Sequence, residues 1–150
     1  MKLEIERKYL LSALPNFSRP IDTLDIDQGY LPGVARLRHQ RSSNGTEKFF
    51  RTVKEGVGLQ RTEIEDEIDR AEFQRLWPET EGRRVRKRRY VVPHGEDRWE
   101  IDEFLDRELF LAELEFDDPR HDVVIPDWLR AVLVRDVTDE PQFTNRSLAR

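Results

Sequence analysis

Charged and apolar residues alternate along the first ten positions of the chain. The charged phase of this alternation consists of Glu4, Glu6 and Lys8. The other phase consists of three apolar residues and one arginine, namely Leu3, Ile5, Arg7 and Tyr9. A period of two residues is typical of a β-strand, because successive side chains of a strand point to opposite faces. The chain is therefore predicted to begin with a strand that has one charged face.

Five later segments repeat this pattern, because each carries two like charges that flank a single residue. These pairs are Arg36 and Arg38, Glu63 and Glu65, Lys87 and Arg89, Glu100 and Asp102, and Glu113 and Glu115. If the charged faces converge, the strands form a barrel with charged side chains inside and apolar ones outside. Some strands contribute acids and others contribute bases. Such an interior suits a polyanion that is bound together with metal cations.

Turn signals divide the chain into eight predicted strands. They cover residues 2–10, 21–31, 35–40, 48–54, 59–68, 83–92, 98–105 and 109–116. Asn44-Gly45 marks the tip of a hairpin between the third and fourth strands. Residues 55–58 contain two glycines and are predicted to turn the chain into the fifth strand.

Helix signals are few. Asp69, with Glu72 three residues later, has the spacing of a helix start, and Pro78 is expected to end that helix. The later part of residues 119–134 is predicted to be helical from the spacing of its apolar residues. Residues 144–150 are predicted to form a short C-terminal helix.

Composition agrees with a folded domain that has an unusually charged interior. Of the 150 residues, 37% are hydrophobic and 38% are charged. The charged share is well above the roughly 25% of typical soluble proteins, and a charged interior accounts for the excess. The net charge of −5 argues against binding to nucleic acid or to an anionic membrane. The absence of cysteine, of an apolar leader and of a long apolar run predicts a cytoplasmic protein.

The segment Glu4-Ile5-Glu6-Arg7-Lys8 resembles the Glu-x-Glu-x-Lys signature of the CYTH domain, the triphosphate tunnel metalloenzymes. The later order of charged pairs is also similar to that of small bacterial members. The resemblance implies a single domain over residues 1–150. It also implies an α+β, predominantly β fold, in which an eight-stranded antiparallel closed tunnel (a β-barrel) has a charged lumen and peripheral helices.

Carboxylates two residues apart on facing strands suit hard divalent cations such as Mg²⁺ or Mn²⁺, which take oxygen ligands. The resemblance implies that the catalytic metal is held by Glu4, Glu6, Glu113 and Glu115. Four further carboxylates are expected either to bind a second metal or water or to hold basic residues in place, namely Glu63, Glu65, Glu100 and Asp102. For any single pair, the alternative is a solvated acidic strand face.

Basic residues in the same phase are candidates for binding phosphate, since arginine binds phosphate oxygens with a planar fork and lysine acts as a point charge. They are Lys8, Arg36, Arg38, Lys54, Lys87 and Arg89, with Arg61 as a further candidate. Their alternative is a surface ladder of salt bridges. Small bacterial members usually carry a basic residue about where Gln142 stands, in a segment that helps close one tunnel end. Here Arg146 is the nearest basic residue.

These residues predict a metal-dependent hydrolase that acts on inorganic triphosphate. Lys87 and Arg89 are expected at the transferred or leaving phosphoryl group. A carboxylate of the Glu113/Glu115 pair or of the Glu63/Glu65 pair is expected to orient the water. A thiamine triphosphatase and a class IV adenylyl cyclase are alternatives within the family. A non-catalytic polyphosphate- or organophosphate-binding module and an acidic β-barrel interaction protein are alternatives from other classes. The protein is expected to be a monomer or a homodimer.

Overall fold

The computed structural model describes residues 2–55 and 60–150. Within these residues, one antiparallel sheet contains nine strands: β1 (Lys2–Leu11), β2 (Asp22–Tyr30), β3 (Ala35–Ser42), β4 (Glu47–Glu55), β5 (Gln60–Ile68), β6 (Arg84–His94), β7 (Asp97–Phe104), β8 (Phe110–Phe116) and β9 (Leu133–Asp136). The predominantly β fold predicted from the alternation is confirmed. The predicted turn over residues 55–58 and the predicted strand start at Leu59 fall mainly on residues 56–59, which lie outside the described residues.

The helices are short. They are α1 (Arg70–Leu76), α2 (Asp127–Arg130) and α3 (Asn145–Leu148), with 3-10 turns at Trp77–Thr80 and Pro141–Phe143. In the described ranges, none of the helices has the length and apolar character needed to cross a membrane.

The strands follow the order β5-β4-β3-β2-β6-β7-β8-β1-β9, and β5 also pairs with β1. One edge of β1 pairs with β8 from Ile5 to Leu11. The other edge is divided between two strands, because β5 pairs with β1 up to Ile5 and β9 pairs with it from Tyr9 to Leu11. Eight strands were predicted, so β9 is an addition that the sequence reading missed.

The helix predicted in the later part of residues 119–134 is confirmed at Asp127–Arg130, but it ends earlier than its apolar spacing suggested. The strand β9 then begins at Leu133. Just beyond β9, the backbone N–H of Val137 donates to the carbonyl of Lys8 at 2.8 Å. The edge of β1 that β5 leaves open needs hydrogen-bond partners, and this long-range requirement outweighs the local helical spacing.

Apolar side chains on the face of the sheet opposite to the charges are covered by the helices. Phe73 of α1 belongs to the same buried cluster as Leu37 and Phe49, and Leu129 of α2 belongs to the cluster around Trp99. Leu37, Trp99 and Leu129 are completely buried. Burying a large apolar side chain stabilises the fold by roughly 1.5–3 kcal/mol relative to exposing it, so these contacts hold the helices against the sheet.

The predicted start of α1 is confirmed, since the Asp69 side chain accepts a hydrogen bond from the backbone N–H of Glu72 at 2.8 Å. After α1 the chain continues into the turn Trp77–Thr80, which packs against β2 at Gly29. A Cβ built on Gly29 would lie only 2.6 Å from the Thr80 Cβ. The missing side chain of Gly29 therefore allows this close approach. At the predicted hairpin tip, Gly45 has a φ of +90°, a conformation that favours glycine.

Candidate active site

Strand register places the charged residues of the sequence pattern on one face of the sheet, hereafter the charged face. Residues that pair directly across two antiparallel strands point to the same side. The pairs include Glu6 with Glu115, Lys8 with Glu113, Glu100 with Glu113, and Arg89 with Asp102. On β6, Arg86 and Arg88 instead form hydrogen bonds with aspartates of β2 at 3.0 and 2.9 Å. The alternation predicted for this strand is therefore confirmed.

Two groups of carboxylates converge on the charged face. Glu4, Glu6 and Glu115 form one group, and Glu100, Glu113 and Glu115 form the other. In each group one oxygen of every residue lies within 4.8 Å of the others, which is close enough for a shared cation. Among the described residues, the buried Glu4 Oε2 and Glu113 Oε1 have no hydrogen-bond partner, and Lys8 Nζ lies 3.4 Å from Glu113 Oε1. Buried carboxylate oxygens that lack a hydrogen bond fit a hard divalent cation.

Burial and like charge perturb these carboxyl groups in different directions. Burial, with Glu113 close by, raises the pKa of Glu6. Partial desolvation of Glu115, whose side chain keeps an exposed part, acts together with nearby Glu100 and Glu4 to raise its pKa to about 7. Burial also acts to raise the pKa of Glu113, but Lys8 and the basic residues of β6 outweigh it and lower that pKa well below the ordinary value. The raised pKa values of Glu6 and Glu115 indicate that nearby bases do not fully compensate the negative charge of the first group. A bound cation would supply the missing positive charge.

Asp102 holds the two basic residues of β6. Arg89 binds both Asp102 oxygens, with Nε and Nη2 at 2.8 and 2.9 Å, and Lys87 Nζ lies 2.8 Å from Oδ2. Arg89 also contacts Glu100 at 3.2 Å. With both oxygens occupied, the geometry of Asp102 favours the second role expected for it, that of holding the bases in place. Lys87 is completely buried, and this burial lowers its pKa to about 8.

The other basic residues differ in how far they are paired. Lys54 Nζ donates to Glu4 at 3.0 Å, and Lys8 Nζ lies 3.4 Å from Glu113. Arg38 donates from Nε to Gln28 at 3.0 Å, and burial together with nearby Arg36 and Arg89 lowers its pKa to about 10. Arg36 is only 6% exposed, yet its Nε has no hydrogen-bond partner in the part of the chain that the structure describes. A buried donor of this kind is ready for an anionic acceptor.

Three cavities follow one another along the charged face. The central cavity, of about 170 Å³, is lined by Arg36, Arg38, Lys54, Glu63, Glu65, Arg89, Glu100, Glu113, Glu115 and Asn145. A wide cavity of about 900 Å³ shares Arg38, Glu65, Arg89, Glu100 and Glu115 with it. A narrow cavity of about 240 Å³ on another side shares Arg36, Lys54 and Asn145. These shared residues place the central cavity between the other two.

Beyond the charged residues, the same phase of the strands becomes apolar. Val85, Phe104 and Leu111 each stand two residues from a charged position and form a buried cluster with Val137. The C-terminal residues Phe143, Leu148 and Ala149 pack against this cluster. Charge therefore lines only part of this face, and the C-terminal segment packs on the rest. The charged pairs in the sequence do not indicate where this boundary between charged and apolar residues lies.

Several candidate residues lie apart from the two carboxylate groups. Glu63 and Glu65 line the central cavity but belong to neither group. The guanidinium of Arg146 stacks over the Tyr30 ring at 4.6 Å and lines the narrow cavity. The backbone of Arg61 pairs with Glu4, and its side chain lies outside the described part of the chain.

Comparison with known proteins finds relatives that align with nearly the whole chain. No protein-family model matches the chain. An inorganic triphosphatase of Nitrosomonas europaea is 38% identical over 157 aligned positions, which cover 97% of this chain and 96% of that protein. The chain belongs to the CYTH family, the triphosphate tunnel metalloenzymes. An inorganic triphosphatase of Acetivibrio thermocellus is also similar to this CYTH chain, with 30% identity covering 100% of the chain and 95% of the relative.

Solved structures extend the similarity to the fold of the CYTH domain. A crystal structure of an inorganic triphosphatase matches with a TM-score of 0.64 and 32% identity, covering 99% of this chain and 95% of the other. A protein of Pyrococcus horikoshii matches with a TM-score of 0.52 and 21% identity, covering 78% of this chain and 80% of the other. At that identity the second match shows a shared fold only.

Three uncharged polar residues at the candidate site of this CYTH domain were not predicted from the sequence. Gln28 is completely buried and bridges Arg38 and the Tyr30 hydroxyl. Thr52 is 1% exposed, and its hydroxyl has no hydrogen-bond partner beside the narrow cavity. Asn145 accepts from Lys87 at 3.2 Å. The phase of Gln28 and Thr52 within their strands was a usable signal, whereas nothing near Asn145 in sequence indicated its partner.

Proposed function

We propose that this chain hydrolyses inorganic triphosphate. The observation that carries the proposal is the central cavity, in which three arginines and a lysine line the same space as five carboxylates. An anion and a cation are both needed to satisfy such a lining. The two triphosphatase relatives cover nearly the whole chain, which supports the same chemistry here.

Basic residues on both sides of the central cavity would hold the phosphates. The proposed set is Lys8, Arg36, Arg38, Lys54, Lys87 and Arg89, with Arg61 and Arg146 as outer members. Arg36 is the strongest candidate of this set, because its buried Nε has no acceptor among the described residues. Lys87 and Arg89 would act at the transferred or leaving phosphoryl group, where negative charge develops. Their shared contact with Asp102 supports a fixed position for both.

A divalent cation, Mg²⁺ or Mn²⁺, would be held by Glu4, Glu6, Glu113 and Glu115, with Glu100 adjoining. The chemistry of this donor set fits, since every candidate ligand atom is a carboxylate oxygen and, among the described residues, Glu4 Oε2 has no hydrogen-bond partner. A bound cation would supply charge neutralisation to the triphosphate. Glu63, Glu65 and Asp102 remain second candidates, and the salt bridges of Asp102 favour a supporting role.

Glu113 would orient the attacking water. Lys8 and the bases of β6 keep its pKa well below the ordinary value despite burial, so Glu113 stays ionised and accepts a hydrogen bond from water. In the proposed reaction the water oxygen bonds to a terminal phosphorus. The bond from that phosphorus to its bridging oxygen breaks, and diphosphate leaves with the electron pair. The proton that the water loses passes to a phosphate oxygen or to solvent.

We further propose that the sheet closes into a tunnel, which the pairing of β1 with β5 supports. Closure would surround the triphosphate with charge from all sides. A cytoplasmic location and a monomeric or homodimeric state remain proposals that rest on the sequence.

The test is phosphate release from inorganic triphosphate by the full chain, with Mg²⁺, with Mn²⁺ and with a chelator. The proposal expects release with one or both metals and none in the chelator. Tight binding of triphosphate without release under any condition would instead identify a binding module. Release that persists in the chelator would contradict the role given to the cation.

A further inference from the structure

Asn145 brings the C-terminal segment into contact with the bases of the charged face. Its Oδ1 accepts a hydrogen bond from Lys87 Nζ at 3.2 Å. A lysine ammonium has donors only, so the amide must present its oxygen to Lys87 and direct its nitrogen elsewhere. The amide nitrogen carries two N–H donors. Asn145 lines both the central and the narrow cavity, so its amide borders the space in which a phosphate would bind.

Two hydrogen-bond donors beside the central cavity have no acceptor among the described residues. Among the described residues, the structure gives the Asn145 amide nitrogen no acceptor. Arg36 lines the same two cavities, and its buried Nε also has no partner. Two donors beside one space are best satisfied by an oxygen-rich anion.

The segment that carries Asn145 is firmly anchored. Phe143 accepts from Lys8 Nζ through its carbonyl at 3.1 Å, and the Thr144 hydroxyl accepts from the backbone N–H of Ser147 at 3.1 Å. Further on, the backbones of Arg84 and Arg150 exchange two hydrogen bonds, at 2.8 and 3.1 Å. These contacts hold Asn145 in one place, as a binding residue requires.

We propose that Asn145 is a substrate-binding residue, whose amide nitrogen donates to a phosphate oxygen of bound inorganic triphosphate while its oxygen positions Lys87. This inference rests on the proposed function, since it needs a phosphate in the central cavity. The α3 helix would then belong to the active site and would not serve only as a cover for one end.

Two substitutions separate the two halves of the amide. Asn145→Asp keeps an acceptor for Lys87 but replaces the donor with negative charge. It should raise KM for inorganic triphosphate about ten- to a hundredfold, the effect expected when a hydrogen bond to a charged group is lost, with a smaller change in kcat. Asn145→Leu removes both contacts and should lower kcat as well as raise KM.

The matched control is Gln142→Ala. Gln142 is an exposed amide in the same segment, and its Nε2 donates to Glu140 at 3.1 Å. Its removal should leave KM within about twofold, as is usual for a surface change. Thermal melts of all variants identify any loss of folding, and Asn145→Asp keeps the test valid if Asn145→Leu is unstable.

Several outcomes would overturn the inference while leaving the proposed function intact. One is a KM of Asn145→Asp that stays near the wild-type value, and another is an equal rise in Gln142→Ala. A third is a raised KM that returns to normal as Mg²⁺ is increased, which would mean that the new carboxylate acts only by binding metal. If the wild-type chain itself releases no phosphate from triphosphate, the proposed function fails first.

Discussion

Alternation along β6 gives neighbouring residues opposite surroundings. Lys87 and Arg89 bind Asp102 on the charged face, whereas Arg86 and Arg88 bind aspartates on the other face. We expect Lys87→Ala and Arg89→Ala each to lower kcat by a factor on the order of ten to a thousand, because each removes a contact to developing charge. Arg86→Ala and Arg88→Ala should stay within a few-fold, since exposed salt bridges contribute little. Similar losses in all four variants would contradict the assignment of catalysis to one face.

At the residue scale, Glu6 is a carboxylate that is both buried and close to another carboxylate, Glu113. Because burial and Glu113 raise its pKa, the ionised form of Glu6 is unfavourable in the folded chain without a cation. Glu6→Gln should therefore cost no stability in chelator, and it should lose most of the stabilisation that millimolar Mg²⁺ or Mn²⁺ gives the wild type. Paired thermal melts measure both effects, with Glu108→Gln as an exposed control. A mutant that melts well below wild type in chelator but keeps its metal-induced shift would mark Glu6 as a structural salt-bridge partner.

Glu115 makes the stability of the metal-free protein depend on pH. Its pKa is about 7 in the folded chain, against 4.5 for an unperturbed glutamate. Between these values the folded state keeps a proton that the unfolded state has released, so the free energy of unfolding falls as pH rises. In chelator, the melting temperature of Glu115→Gln should therefore fall less than that of wild type between about pH 5 and about pH 7.5. Parallel curves for the two proteins would show that Glu115 titrates normally.

At the scale of elements, the turn Trp77–Thr80 depends on the absence of a side chain in β2. An alanine at position 29 would place its Cβ 2.6 Å from Thr80 Cβ and 2.9 Å from the Trp77 ring. Gly29→Ala should destabilise the fold by about 1–3 kcal/mol, as overpacking of a core typically does. Denaturant unfolding measures this, with Val34→Ala as a control at a residue that is 63% exposed. An unchanged midpoint would show that the turn moves away without cost.

The strand β9 shows how elements compensate for one another. β5 leaves the edge of β1 after Ile5, and β9 takes up that edge from Tyr9 onwards. Val137, next to β9, then enters the apolar cluster beside the charged residues. The chain shortly after α2 thus becomes a strand, because the sheet has an open edge at that point.

For the whole molecule, the distribution of charge predicts selectivity. The central cavity is lined by charged side chains and Asn145, while the phase beyond them is filled by apolar side chains and the C-terminal segment. Phosphates satisfy such a lining and a neutral nucleoside does not. The kcat/KM for inorganic triphosphate should therefore exceed that for ATP and for thiamine triphosphate. Equal or better use of ATP would contradict this, and cyclic AMP as a product would indicate the cyclase activity.

The sequence by itself determined eight of the nine described strands, the charged face and the choice of candidate residues. A period of two is a local property, so Glu4, Glu6 and Lys8 must share a face wherever β1 lies. The resemblance of that segment to the CYTH signature then indicated the family, and the relatives confirmed it. The cap at Asp69 and the turn at Gly45 were also readable, because each depends on residues close in sequence.

Only the tertiary structure decided which of these residues meet. Glu115 completes both carboxylate groups, and Asp102 is taken up by Lys87 and Arg89, because of pairings between strands that are distant in sequence. The same holds for the contact of Asn145 with Lys87, which joins positions 58 residues apart. Alternation states which way a side chain points but not what stands opposite to it. Strand register and the packing of the C-terminal segment, which are set by the whole chain, supply that information.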